Sequence, residues 1–418
     1  MGARLRANIM YYHIYLYHGN KHNYHCVITQ TLQNGQTLGQ FFELLYGLKQ
    51  AGRMWYQEMS WVLVKDLGFT CSTVDHSVFF WRLPNEHTII VVTTDDMVVT
   101  LKWAEDITRF KADIQSYWEI TDNGPIRWFL GFQIMCNCTT RTISINQSTY
   151  IQAMVDKFRL TNSTPVATPM VTGATFSTSD SPSTPMQIAW MRGIPYAEAI
   201  SSVLWLVIIS WPDAAFAVSI LSQFIQNPRH AHWEALKHVI VFLGSMKDLW
   251  LTFGGRSKPA AEGFCNVDWG GQKHCHSILG YSFHMGAGAI SWSSKKQHVV
   301  VLSSTKAEYI VQTHMAKEAL WLCIFLWELC STPDDLLILN CNNQGAITLT
   351  KNNKFHVCTK HIDMHYHFIH EVVEDGKVVV QYILTGDNVS DIFTKPLTKA
   401  KFRELTELLG LCAIMCKV

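Results

Sequence analysis

The sequence predicts a mixed α/β (α+β) chain folded as more than one domain, and three observations lead there. β-rich runs, as over residues 87–101 and 378–384, alternate with stretches of helical period, as over 196–254. Residues 161–186 break the chain, because 16 of these 26 are Ser, Thr or Pro. That composition buries no core of its own and reads as a linker. The third observation is size: 418 residues at 48% apolar content suffice for two or three packed cores.

Charge and composition narrow the function classes. Thirty-four Lys and Arg against 33 Asp and Glu leave a net charge of +1, weak for a protein that holds a nucleic-acid backbone through phosphate contacts. The 12 cysteines are scattered without C-x-x-C pairs, and no leader pattern is seen. A reduced, intracellular chain is expected, cytoplasmic or nuclear. The most apolar run, 203–211, falls far short of the roughly 20 residues a bilayer span needs. The opening Met-Gly-Ala-Arg-Leu-Arg lacks the Ser or Thr of a myristoylation site.

Taken in order, residues 1–40 are rich in Tyr, His and Asn, with one strand suggested at 10–17 and no assignable function. Leu45-Tyr46-Gly47-Leu48-Lys49-Gln50-Ala51 leads past Gly52 and Arg53 into an amphipathic helix expected over 54–67. Two β-rich runs within 87–101 meet at Asp95-Asp96, where the bland reading is a hairpin turn. A strand at 261–268, a hairpin through Gly280 and Trp292, a strand at 336–340, helices near Gln344 and His361, a strand at 378–384 and a closing helix describe a mixed α/β domain. Its helix start at Thr305-Lys306-Ala307-Glu308 fits a capping box, in which Glu308 only reaches back to the Thr305 backbone.

These strings have company. The Leu45–Ala51 string with Arg53 and Trp55-Tyr56, the Asp-Asp hairpin, Phe129-Leu130-Gly131, Trp292-Ser293-Ser294-Lys295-Lys296-Gln297 and Ala307-Glu308-Tyr309 together resemble the polyproteins of copia-type retrotransposons. The resemblance covers most of residues 41–410. It implies a partial reverse-transcriptase palm and thumb over 41–160, a linker over 161–190, a helical connection over 191–255, a ribonuclease H-like mixed-sheet domain over 256–400 and a tail over 401–418. Residues 1–40 stay unassigned. Lys49, Gln50 and Arg53 would lie beside template and primer.

The family's chemistry uses paired Mg²⁺ ions held by carboxylates, in the polymerase and in the ribonuclease H centre alike. Asp95 and Asp96 match the polymerase hairpin, with Thr93 and Thr94 replacing its Tyr and Val. The third polymerase carboxylate has no counterpart, since no Asp precedes Asp66, and the fingers and first half of the palm are expected to be missing. In the nuclease the four family carboxylates fall on Asn266, Glu308, Asn342 and Asp391, so two of the four are amides. The site drops from four negative charges to two while two dications need neutralising, and poor Mg²⁺ occupancy is expected. Asp268, two residues along the strand from Asn266, is a candidate substitute on the same face, although at about 6 to 7 Å along the strand it is too far for an unadjusted swap.

Two other departures remove positive charge: Trp211 stands for the family's Arg in Trp211-Pro212-Asp213, and Gly244-Ser245 stands for Lys-Gly. His361 and His365, four apart on an expected helix, offer a zinc reading, but there is no H-E-x-x-H glutamate and the family segment is structural. Three function classes stay open: an inactive derivative, a residual Mg²⁺-dependent RNA–DNA hybrid nuclease, and a non-catalytic module that binds nucleic acid or protein.

Overall fold

The computed structural model describes residues 24–30, 51–83, 86–93, 96–101, 103–177, 184–255, 261–271, 276–297, 300–301, 303–330, 337–351 and 363–414. Strand β1 is Tyr24–Gln30, and helix α1 is Ala51–Trp61, prolonged by a π-helical turn over Val62–Asp66. Then come β2 (Thr70–Cys71), β3 (Val78–Leu83), β4 (Glu86–Thr93), β5 (Asp96–Leu101), α2 (Ala104–Gln115) and β6 (Ile120–Pro125). These strands form one sheet in the order β2-β3-β4-β5-β1-β6.

Strands β4 and β5 are apolar on both faces, and alternate residues supply two different cores. Ile90, Val92, Met97, Val99 and Leu101 pack with Met59 and Leu63 of the first helical segment and with Phe110 and Ile114 of α2. Ile89, Val91 and Val98 belong to a larger core that runs on through the rest of the chain. The strand expected at 10–17 lies outside the described residues. Instead Tyr24–Gln30, left unassigned on sequence, enters the sheet between β5 and β6, with Thr29 opposite Asp96.

Further on lie β7 (Trp128–Phe129), β8 (Phe132–Asn137), β9 (Thr142–Asn146), α3 (Ser148–Lys157), α4 (Pro185–Arg192), α5 (Tyr196–Ile209), α6 (Ala215–Ser222) and α7 (His230–Ser245). The remainder is β10 (Leu249–Gly254), β11 (Ala261–Asp268), β12 (Ile278–Met285), β13 (Gly288–Lys296), α8 (Ser304–Cys330), β14 (Leu337–Cys341), α9 (Gln344–Lys351), α10 (Asp363–Glu374), β15 (Val378–Tyr382), α11 (Lys399–Leu408) and β16 (Leu411–Ala413).

A second sheet runs β16-β10-β9-β8-β7, so the end of the chain closes onto its middle. Among the helices of this region α6 is nearly all apolar and mostly buried, while α5 and α7 each bury part of their surface. Trp211 is 1% exposed and packs edge-on against Phe242, with ring centroids 6.4 Å apart. The family's Arg would carry its charge into this core, so the Trp here is a core residue. Within the Ser/Thr/Pro-rich stretch, Met170 is buried in the large core, and the His238 ring hydrogen-bonds the Thr168 carbonyl at 2.9 Å. The part around Thr168 and Met170 therefore packs, although the composition of the stretch reads as a linker.

The third sheet, β13-β12-β11-β14-β15, is mixed: β13, β12 and β11 pair antiparallel, and β14 and β15 lie parallel to β11. A parallel partner needs a crossover. Helix α8 lies in the one between β11 and β14 and packs on β11. No single described helix is long and apolar enough to cross a membrane.

Candidate functional site

The parallel strands β11 and β14 are in register at Cys265 and Cys341, so the next residue along each strand, Asn266 and Asn342, stands at the same end of the sheet. The C-terminal ends of parallel strands are where open α/β sheets place ligands. Asn342 Nδ2 donates to Asn266 Oδ1 at 3.3 Å and lies 3.5 Å from Thr385 Oγ1.

Asp391 reaches the same point from a short 3-10 segment, Val389–Phe393, which is pinned to β11. Ser390 Oγ donates to the Phe264 carbonyl at 2.7 Å, and Asn388 Nδ2 donates to the Cys265 carbonyl at 2.8 Å. Asn388 Oδ1 also caps the segment by accepting from the Ser390 N–H at 3.0 Å. Gly280 on β12 lets the segment come close, since a Cβ there would stand 2.7 Å from Phe393 Cβ and 3.1 Å from the Ser390 carbonyl oxygen. With the backbone so held, Asn266 Nδ2 donates to Asp391 Oδ1 in a short contact, and the Lys395 ammonium lies 3.0 Å from Oδ2.

Glu308 completes the group from α8, and the capping-box reading fails. The helix begins two residues earlier than the box needs: the Lys306 N–H donates to Ser303 Oγ at 3.3 Å, so Ser303 is the cap. Glu308 is then one turn inside, buried at 6% exposure against the Val267 backbone N–H. Burial first, and the negative charge of Asp391 second, push its carboxyl up to about 8, with the Val267 N–H a partial offset. One carboxyl oxygen, Oε2, has no hydrogen-bond partner, and neither does Asn342 Oδ1.

The four sequence-predicted positions thus converge, while Asp268, within electrostatic reach of Asp391 and Lys395, lies over Gly271. Its carboxyl oxygen sits where a Cβ on Gly271 would come within 1.8 Å, in the turn after the strand. Burial raises the Asp268 carboxyl above its ordinary range, as does Asp391, and Lys395 acts the other way. Lys395 is the residue that sequence reasoning passed over. Its i, i+4 spacing from Asp391 was the available signal.

The residues present do not fit a pair of divalent ions. Asn266 turns its NH₂ group, which cannot ligate a cation, toward Asp391, and the lysine ammonium already supplies Asp391 with positive charge. Among the described residues, no three His, Cys, Asp or Glu side chains come together as a metal would require.

The polymerase positions are less complete. Asp95, Lys49 and Gln50 lie outside the described residues, as does His361 of the zinc reading; of the His365 side chain nothing is described. Arg53 is exposed on α1, and Asp96 opens β5 with its carbonyl accepting from Thr93 Oγ1 at 3.4 Å. The strand alongside, Tyr24–Gln30, carries no acidic residue at any position.

A family model described as "Reverse transcriptase (RNA-dependent DNA polymerase)" matches residues 31–172. The retrovirus-related Pol polyprotein from transposon TNT 1-94 of Nicotiana tabacum is 36% identical over 369 residues, which is 88% of this chain and 28% of that one. The chain belongs to the Pol polyproteins of copia-type retrotransposons. A second relative, from transposon RE2 of Arabidopsis thaliana, is 30% identical over 374 residues, covering 88% of this chain and 25% of its own length. This copia-type chain therefore spans 28% and 25% of the length of the two relatives. A solved foamy viral protease-reverse transcriptase in complex with dsDNA aligns over 87% of the copia-type chain and 68% of its own. It does so at 12% identity and a TM-score of 0.43.

Proposed function

We propose that this copia-type chain is a catalytically inactive derivative of a reverse transcriptase and ribonuclease H. In this reading residues 41–160 derive from palm and thumb and residues 256–400 from the nuclease. The observation that supports it is the Asn266 side chain donating to Asp391 where the family's centre has two carboxylates facing cations. A donor and a lysine ammonium hold Asp391 in place of metal, and Glu308, the other surviving acid, is buried with an oxygen unpartnered. Mg²⁺ would be poorly held by two acids, one buried and the other paired with a lysine ammonium. An RNA–DNA hybrid is the partner the family chemistry suggests, bound weakly because the net charge is only +1.

A Mg²⁺-dependent assay on a labelled RNA–DNA hybrid tests this reading. Inactivity is expected, with hybrid binding that is weak and changes little with salt. Cleavage of the RNA strand by the unmodified chain would support the residual-nuclease reading instead. Tight binding at 200 mM salt without cleavage would support a binding module.

A further inference from the structure

Cys265 and Cys341 face one another beneath the amide cluster. They are register partners on the parallel strands β11 and β14, both are wholly buried, and their Sγ atoms are 3.1 Å apart. Three other described thiols point to oxygen: Cys71 to the Ser72 and His76 carbonyls, Cys323 to the Lys377 carbonyl, and Cys412 to Thr252 Oγ1. Neighbouring strands in a sheet are about 4.8 Å apart, inside the roughly 4.4–6.8 Å that a disulfide spans between Cα atoms. The two strands need not part for the bond to form.

We propose that Cys265 and Cys341 are an oxidisable dithiol, a site of reversible disulfide formation that ties together the strands carrying Asn266 and Asn342. The oxidant class is a small neutral peroxide, since the pair is buried. One sulfur attacks the peroxide, whose O–O bond breaks to leave a sulfenic acid and one water. The second sulfur then displaces the sulfenic oxygen, forming the S–S bond and releasing a second water. Two thiols lose two electrons and two protons, and the peroxide takes up both. Closing a loop between residues 76 apart in sequence restrains the unfolded chain most of all.

The full chain is treated with hydrogen peroxide, denatured, alkylated and digested, and the cysteine peptides are mapped by mass spectrometry. The expected result is a crosslinked pair of the Cys265 and Cys341 peptides, about 2 Da below their sum. It is accompanied by a thermal midpoint raised by about 5 °C and returned to its starting value by dithiothreitol. Cys341→Ser should lose both the crosslink and the shift. Should that variant fail to fold, the mapping of the unmodified chain decides alone. Recovery of both cysteines as alkylated thiols, their separate over-oxidation, or a bond from either one to the exposed Cys138 would overturn the proposal.

Discussion

The side-chain amide of Asn266 donates to Oδ1 of Asp391, and Lys395 lies 3.0 Å from the other oxygen of that carboxylate. One acid is therefore satisfied by a donor and a cation of the chain itself. Asn266→Asp replaces the donor with a second anion, and the uncompensated pair should destabilise the metal-free fold by about 1–3 kcal/mol. Added Mg²⁺ should return part of that loss in the variant and leave the unmodified chain unchanged. Thermal unfolding in EDTA and in Mg²⁺ measures both. A Mg²⁺-dependent rise in the unmodified chain would contradict the reading.

Asp213 gives a pH dependence. It is 1% exposed, accepts from Thr406 Oγ1 at 3.4 Å, and has one oxygen without a hydrogen-bond partner. Burial pushes its carboxyl up from 3.8 to about 7. Between those values the folded chain keeps a proton that the unfolded chain has released. This contribution is complete below pH 4, falls as pH rises toward 7, and is lost above it, in total on the order of a few kcal/mol. Asp213→Asn, which cannot ionise, should gain stability relative to the unmodified chain between pH 5 and pH 8. Denaturation curves for the two proteins that shift in parallel over that range would refute the assignment.

Glu328 joins α8 to the first sheet. It accepts from Ser72 Oγ at 2.5 Å, from the Thr73 N–H at 3.0 Å, and from Thr73 Oγ1, and it is 6% exposed. Trp321 Nε1 lies 3.4 Å from the Val74 carbonyl oxygen alongside. Glu328→Ala should cost about 2–4 kcal/mol, because three donors lose a charged acceptor in a buried place. Glu328→Gln should cost less. A change under about 0.5 kcal/mol in urea unfolding would show the contact to be incidental.

The fold and site were legible in the sequence to different depths. The strands of the third sheet were readable because each is a local apolar run, and Asn266, Glu308, Asn342 and Asp391 could be placed because their motifs are short and contiguous. What escaped depends on distance along the chain. Nothing local in Tyr24–Gln30 says that it pairs with β5 and β6, some 70 to 100 residues further on. The local pattern places the cap at Thr305, whereas Ser303 caps the helix, and that difference decides whether Glu308 faces its own backbone or β11. The Glu328 contact and the Cys265–Cys341 pair likewise follow from tertiary register.

Template-directed DNA synthesis should be absent. The strand beside Asp96 brings no third carboxylate, and two acids alone do not neutralise two dications and a triphosphate. Primer extension on a primed RNA template, read against an Asp95→Ala, Asp96→Ala control, should show no difference. Extension above that control would contradict the expectation.

In the proposed reading Asn266 and Asn342 are what silence the ribonuclease H-derived centre, and Mg²⁺-dependent cleavage of the RNA strand of a hybrid is the measurement that bears on it most directly. The unmodified chain should sit at background. Asn266→Asp with Asn342→Asp should gain cleavage well above either single change, because one restored charge leaves the two dications under-neutralised and the carboxylates act as a unit. Adding Glu308→Gln to the double variant should abolish the gain, whereas adding Asp268→Asn should cost little, since that side chain lies over Gly271. An unmodified chain that already cleaves at a rate the double variant does not exceed would contradict the account and put the reacting centre elsewhere.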